Sequence, residues 1–260
     1  MNLLMNGTAM NRACLFNNTN LHEQNQHASS IRPIKNNFVL MKRVTLIASA
    51  IYCFLLTGLQ AQTVTDVEGN VYKTVKIAAQ VWMNENLKTT RYNDGTAIPE
   101  VTENRVWSAL TAGSYCNYEN TPANSTRYGK LYNYYTVNTG KLCPAGWHVP
   151  SDVEWAALAV YLGGLGVAGS KLKETGTTHW LSLTTNTEAT NETGVTALPG
   201  GYRDGEGVYY SVGYDGKWWS STETSMTNAT LRLMSSNSTS LGSGTRHKRT
   251  ALSVRCLLTL

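Results

Sequence analysis

Two cysteines, and the helix start that follows the first of them, constrain this chain more than any other feature. Cys143 opens the run CPAGWHVPSDVEW, and Cys256 closes the motif SVRC near the end of the 260-residue chain. Within the run, Ser151 is followed three positions later by Glu154, the capping-box spacing in which each residue satisfies a free backbone N–H of the other. A helix therefore begins at Ser151, with one cysteine before it and a second on the last predicted strand. Exported domains use this arrangement to tie the closing strand to the core.

Helical spacing continues after Ser151. Apolar residues recur on one face and the pair Gly163-Gly164 ends the pattern, which predicts a helix over residues 151–162. That apolar face consists of Trp155, Leu158, Ala159 and Leu162. Further short helices are predicted over residues 102–110 and 167–174.

Alternating patterns predict strands early and late in the domain. Residues 71–77 and 80–84 are typical of two early strands. The two faces of the first are Val71, Val75 and Ile77 against Tyr72, Thr74 and Lys76. After residue 175, short strands alternate with Gly-rich turns, and residues 252–258 are predicted to form one buried closing strand. Early helices followed by turn-punctuated strands indicate the α+β class.

A leader precedes this domain. Residues 41–61 combine a short basic region, an apolar stretch too brief to span a bilayer and a small-residue cleavage region, which predicts a signal peptide. Residues 1–40 are interpreted as a mis-called upstream extension, the alternative being a genuine disordered extension. Residues 62–260 then form a single domain that is secreted or held at the cell surface. No transmembrane segment is expected after signal cleavage.

The charge of the domain argues against nucleic acid as a partner. From residue 62 onward there are 17 Lys and Arg against 16 Asp and Glu, so the formal net charge of +5 falls to +1 without the leader. No basic stripe remains to bind a phosphate backbone. Three cysteines remain in the domain, Cys116, Cys143 and Cys256, and an oxidising compartment predicts one disulfide and one free thiol.

Seven blocks of sequence, in order, resemble the Fibrobacter succinogenes major paralogous domain family of secreted and surface proteins in Bacteroidetes and Fibrobacteres. They are DVEGNVYKTVKI, QVWMNENLKTTRYNDGTAIP, YGKLYNYYTVNTGKLCPAGWHVPSDVEW, KLKETGTTHW, NETGVTALPGGYRD, KWWSSTE and SVRC, and the resemblance covers roughly residues 67–257. The resemblance implies a fold of the C-type-lectin and formylglycine-generating-enzyme group, a twisted antiparallel sheet with two flanking helices and long loops. We predict a disulfide between Cys143 and Cys256, which leaves Cys116 free.

The same resemblance raises the question of catalysis. The run HVPSDVEW is similar to RLPTEAEW of formylglycine-generating enzymes, whose reactive cysteines lie upstream of the closing one. This chain has no cysteine between Trp218 and Arg255, so the nucleophile is missing. It also lacks G-x-S-x-G, H-E-x-x-H and the calcium motifs of sugar-binding lectins. We therefore predict no catalytic residue, no metal site and no cofactor.

Aromatic residues crowd into a turn-rich segment late in the chain. Their rings can stack on sugars or anchor a protein contact, or they can fill the core in a domain that has no Phe after residue 61. For Trp218 and Trp219 the core interpretation is favoured. The candidate ligand-binding residues are Tyr202, Arg203, Tyr209, Tyr210, Tyr214 and Glu223. Arg203 or Glu223 would supply directional hydrogen bonds.

The sequence thus predicts an exported, non-catalytic recognition domain of C-type-lectin-like fold. Its expected partner is a polysaccharide or another surface protein. One alternative is an enzyme, related to formylglycine-generating enzymes or hydrolytic. Another is a structural component of a surface assembly.

Overall fold

Short helices and strands alternate along the chain. The computed structural model describes residues 62–181 and 188–259, so the predicted signal peptide and upstream extension lie outside the described residues. The helices are α1 Asn104–Ser108, α2 Pro122–Tyr128, α3 Tyr134–Val137, α4 Asp152–Tyr161 and α5 Leu165–Leu172. The early strands are β1 Thr63–Thr65, β2 Val71–Ile77, β3 Gln80–Met83, β4 Tyr115–Cys116, β5 Leu131–Asn133 and β6 Trp147–His148. The late strands are β7 Gly200–Arg203, β8 Tyr209–Val212, β9 Asp215–Glu223, β10 Asn228–Ser235, β11 Gly242–His247, β12 Ala251–Leu252 and β13 Leu257–Leu258.

The strands form two sheets. The smaller has the order β1-β2-β3-β13-β6, and every pair in it is antiparallel. The larger has the order β11-β10-β9-β7-β12-β5-β4, with β8 paired to β7. Its pairs are antiparallel except for a parallel contact between β7 and β9. Mixed helices and antiparallel sheets confirm the α+β class.

The end of the chain connects the two sheets. The prediction of one strand over 252–258 is wrong, because β12 belongs to the larger sheet and β13 to the smaller. The residues between them are buried, and Val254 and Cys256 accept backbone hydrogen bonds from Leu87 and Met83 at 2.8 and 3.1 Å. Cys256 bonds to Cys143 with an S–S distance of 2.02 Å, as predicted, and Cys116 is free and buried.

The capping box forms as the sequence predicts. The Ser151 hydroxyl accepts a hydrogen bond from the Glu154 N–H at 3.3 Å, and the Glu154 carboxylate accepts one from the Ser151 N–H at 2.7 Å. Helix α4 follows, and its predicted apolar face is buried. The predicted helix over 167–174 begins two residues earlier, at Leu165. Among the described residues no single helix is long and apolar enough to cross a bilayer, although α4 and α5, bent by 87°, pass that test together.

Strand β2 departs from the predicted division of faces. Tyr72, placed with Thr74 and Lys76, is fully buried, whereas Val71 is 58% exposed. The reason is a polar anchor: the Tyr72 hydroxyl donates a hydrogen bond to Asp66 Oδ2 at 2.8 Å and accepts one from the Lys88 N–H at 3.0 Å. Hydrogen bonding by the ring's hydroxyl thus overrides the simple apolar alternation.

Aromatic residues fill much of the core. The largest fully buried side chains include Trp82, Trp107, Trp155, Trp180, Trp218 and Trp219. Trp218 donates a hydrogen bond to Asn86 Oδ1 and Trp219 donates one to the Tyr132 carbonyl, each at 2.8 Å. The prediction that Trp218 and Trp219 belong to the core is therefore confirmed.

Candidate functional site

A row of side chains crosses one face of the larger sheet. The parallel contact of β7 with β9 places Tyr202 beside Lys217. Lys217 of β9 in turn lies opposite Leu233 of β10. On the other side of β7, Tyr202 lies directly opposite Tyr210 of β8. Next to Leu233, the edge strand contributes Gly242, which has no side chain. Tyr202, Tyr210, Lys217 and Leu233 are referred to below as the tyrosine shelf.

The two tyrosines of the shelf are stacked. Their ring centroids are 5.3 Å apart and their planes are inclined by 25°. The Lys217 ammonium lies 3.8 Å from the Tyr202 centroid, so Tyr202 is held between a cation and a second ring. Tyr202 is half-buried, whereas Tyr210 is 41% exposed. The shelf therefore presents an aromatic surface to solvent on a rigid strand pair.

Charged groups fix the lysine at the base of the shelf. Lys217 is only 7% exposed, and its ammonium lies 3.1 Å from the carboxylate of Asp215. The Ser235 hydroxyl donates to the same carboxylate at 2.8 Å. Burial lowers the pKa of Lys217, and the Asp215 charge opposes that shift. Sequence reasoning missed Lys217 and Leu233, because Lys217 shares its face of β9 with the fully buried Trp219 and alternation alone does not mark it as a shelf residue.

The backbone beneath the shelf is unusual at two facing positions. Gly201 has φ +64°, and a Cβ there would lie 2.5 Å from the Tyr210 carbonyl oxygen and 2.7 Å from the Tyr118 ring. The second glycine of PGGYR is thus required for β8 to approach β7. Opposite it, Ser211 has φ 62°, a left-handed conformation that costs a non-glycine residue about 1–3 kcal/mol. The strain lies directly beside Tyr210.

Arg203 is not available to a ligand, contrary to the prediction. It is fully buried, and its guanidinium lies between the rings of Trp107 and Tyr209, at 4.4 and 5.0 Å from their centroids. It donates hydrogen bonds to the carbonyls of residues 101, 102 and 207 and to Asn104 Oδ1. These hydrogen bonds connect β7 to the start of α1 and to the turn after β7, so Arg203 has a structural role.

Of the six candidate residues, Tyr202 and Tyr210 come together on the shelf, and Arg203 and Tyr209 meet on the opposite side of the same strand pair. Tyr209 faces the opposite side of β8, where its hydroxyl donates to Asn120 Oδ1 at 2.8 Å. Tyr214 is 47% exposed and lies in the turn before β9, outside the strand pair that forms the shelf. Glu223 pairs with Lys248 at 2.9 Å, about 20 Å along β9 from Lys217.

Two histidines make hydrogen bonds to carboxylates. His148 Nε2 lies 2.8 Å from Glu154, and His179 Nδ1 lies 2.8 Å from Glu174. The Ser151 hydroxyl bonds to Glu154 and not to a histidine, so this trio does not have the geometry of an activated nucleophile. Among residues 62–181 and 188–259, no group of three His, Cys, Asp or Glu side chains is placed to hold a metal ion.

Comparison with known proteins identifies a family. The sequence profile described as the Fibrobacter succinogenes major domain matches residues 75–257. The match spans both sheets from β2 to β13, including the tyrosine shelf and the disulfide. No curated protein and no solved structure matches the chain.

Proposed function

We propose that this chain, which belongs to the Fibrobacter succinogenes major domain family, is an exported, non-catalytic recognition domain that binds polysaccharide through the tyrosine shelf. The observation that carries the proposal is the stacked pair Tyr202 and Tyr210, of which Tyr210 is 41% exposed. An exposed ring that is stacked on a second ring, itself contacted by Lys217, loses little conformational entropy when a ligand binds.

The chemistry of the shelf fits a sugar ring. Aromatic faces stack on the apolar C–H faces of sugars, and the rims of those sugars carry hydroxyl groups that need hydrogen-bond partners. The Asp204 carboxylate lies beside the Tyr210 hydroxyl; burial and then this charge raise the pKa of Tyr210. Asp204 also accepts the N–H groups of Glu206 and Val208, at 2.9 Å each, so its position is fixed. A ring face with an acidic rim can bind a sugar by stacking and by hydrogen bonds.

The finer fold assignment belongs to the same proposal. We assign the domain to the C-type-lectin-like group on the basis of its antiparallel sheets, the adjacent helices α4 and α5, and the disulfide that ties Cys256 to the segment before α4. Export is supported by that disulfide, since such bonds persist in oxidising compartments, and by the leader pattern of residues 41–61.

The proposal is tested by removing the exposed ring. Tyr210→Ala in the disulfide-bonded secreted protein should weaken binding to soluble plant-cell-wall polysaccharides about tenfold, because stacking supplies about 1.4 kcal/mol. Affinity electrophoresis and isothermal titration calorimetry provide the measurement. Tyr214→Ala and Tyr161→Ala are matched controls, since both rings are exposed, at 47% and 62%, but lie outside the shelf.

The outcomes separate the candidate functions. Equal binding by Tyr210→Ala and by the controls would reject the shelf as the sugar site. Failure to bind any polysaccharide, together with Tyr210-dependent capture of a surface protein, would reassign the partner class to protein. Turnover of a bound polysaccharide would favour the enzyme alternative.

A further inference from the structure

A second polar site lies on the other side of the larger sheet. A cavity of about 80 Å³ is bordered by the segment after β3, the end of α2, the segment before β7 and Arg255. The Arg255 guanidinium lies 6.0 Å from the centroid of Trp218. Because Trp218 and Lys217 are consecutive in β9, they face opposite sides of the sheet. This Arg255 cavity is therefore separate from the tyrosine shelf.

Arg255 carries a buried charge without a carboxylate partner. Its side chain is 2% exposed, and among the described residues it makes no ion pair within 4.0 Å. Three of its N–H groups bond to Asn86 Oδ1 and the Val195 carbonyl. A guanidinium has five N–H donors, so two make no hydrogen bond to the described residues. Buried cations are normally paired, and the lack of a partner here is therefore informative.

Two other features of the cavity wall are also unusual. Asn84 lines the cavity, and its Oδ1 atom is buried without a hydrogen-bond partner among the described residues. Thr196, on the opposite wall, has φ 52°, a left-handed conformation that is a genuine outlier for a β-branched residue. Strained backbone and unsatisfied polar groups concentrate where a structure is shaped around a ligand.

The charges around the cavity favour an anion. Lys88, Arg127 and Arg255 line it together with a single carboxylate, that of Glu85. Glu85 pairs with Lys88 at 2.9 Å, which leaves the two arginines in excess. The volume has room for roughly six water molecules, the space of a small organic acid rather than of a polysaccharide segment.

We propose that the Arg255 cavity binds a carboxylate that carries a neighbouring hydroxyl group, either as a free hydroxy acid or as the acidic end of a sugar. Arg255 and Arg127 donate to the carboxylate by charge-assisted hydrogen bonds. Asn84 Oδ1 accepts the ligand's hydroxyl proton. The proposal is independent of the shelf, because the two sites share no residue.

The test uses lactate and D-galacturonate as probes, titrated calorimetrically into the secreted protein. Arg127→Gln should raise the Kd for the bound probe about tenfold or more, the loss of one charge-assisted hydrogen bond. Arg105→Gln is the matched control, since Arg105 is also exposed and helical but does not line the cavity. Asn84→Asp places a carboxylate against the ligand and should abolish binding. Tyr210→Ala should leave the Kd unchanged.

Each outcome is decisive. Binding of lactate alone identifies a free hydroxy acid as the ligand, and binding of galacturonate but not galactose identifies an acidic sugar. Binding of neither probe would overturn the proposal, as would an Arg127→Gln variant that binds like Arg105→Gln. Sulfate that binds as tightly as lactate would overturn the role of the hydroxyl group. Equal melting temperatures of the free variants establish that folding is intact.

Discussion

Tyr209 and Tyr210 are consecutive residues of β8, and they serve opposite sides of the same strand. The Tyr209 ring packs between the Arg203 guanidinium and the ring of Tyr118, with centroid distances of 5.0 and 5.2 Å. The Tyr210 ring stacks on Tyr202 and remains 41% exposed. Two adjacent residues of one type therefore divide between scaffold and candidate binding surface, and only the direction of each side chain separates them.

Two of the three buried arginines among the described residues form a similar contrast. Arg203 bonds to four internal acceptors, so its donors are occupied by the scaffold. Arg255 bonds to two acceptor groups and borders a cavity. Burial alone thus does not distinguish a structural cation from a candidate ligand site; the number of acceptors around it and an adjoining cavity do.

The largest effect is expected in the core beneath both surfaces. Trp219→Ala should lower the free energy of unfolding by about 3–5 kcal/mol, because it removes a fully buried ring and leaves a cavity. Its ring also packs edge-on against Tyr134 at 5.2 Å. Urea denaturation followed by circular dichroism gives the value. A loss below about 1 kcal/mol would contradict the assignment of Trp219 to the core.

The neighbouring tyrosines provide a direct test of the comparison. Tyr209→Ala should cost about 2 kcal/mol, since it removes the packing on Arg203 and the hydrogen bond to Asn120. Tyr210→Ala should cost less than about 1 kcal/mol, because much of that ring is already in solvent. Thermal and urea unfolding of both variants measures the difference. Equal losses would show that both rings are scaffold.

A smaller, pH-dependent change in the free energy of unfolding measures how well water is excluded from Cys116, which is buried on the scaffold side. Burial raises the pKa of the Cys116 thiol from 9.0 to about 11. The unfolded thiol ionises above pH 9 while the folded one stays neutral, so its contribution to stability is complete below pH 9 and is lost as the pH rises toward 11. At pH 10 the loss is about 1.4 kcal/mol.

Comparison with Cys116→Ala isolates this contribution. Between pH 8 and pH 10 the unfolding free energy of the unmodified chain should fall about 1.4 kcal/mol more than that of the variant. The buried tyrosines titrate in the same direction in both proteins and cancel in the difference. Parallel pH profiles, or rapid alkylation of Cys116 in the native state at pH 8, would contradict a dry environment.

Local spacing predicted several elements because their causes are local. The capping box at Ser151 and Glu154, the apolar face of α4 and the glycine stop all depend on residues within a few positions of each other. The family resemblance added the order of the blocks, and the profile match over residues 75–257 confirms it. The disulfide of Cys143 with Cys256 was predicted as well.

Two predictions about strands were wrong because they depended on pairing between residues far apart in the sequence. Residues 252–258 have the composition of one buried strand, but the two ends of this segment pair with different sheets. The alternation in β2 predicted that Tyr72 shares a face with Thr74 and Lys76. Its burial depends on hydrogen bonds to Asp66 and to the Lys88 N–H, and both partners lie outside β2. Alternation within a strand cannot reveal which elements cover each face.

Short-range spacing and composition predicted the α+β class, the best helix and the core role of the paired tryptophans. The disulfide partners lie 113 residues apart, and they were predicted from the positions of the two cysteines, one before the capped helix and one near the end of the chain. The folded structure was needed to show which aromatic rings face solvent, that Arg203 is structural, and that Lys217 and Leu233 join Tyr202 and Tyr210. It also placed Arg255 beside a cavity. These properties depend on strand register and on which groups meet across the fold, and no spacing along the chain specifies either.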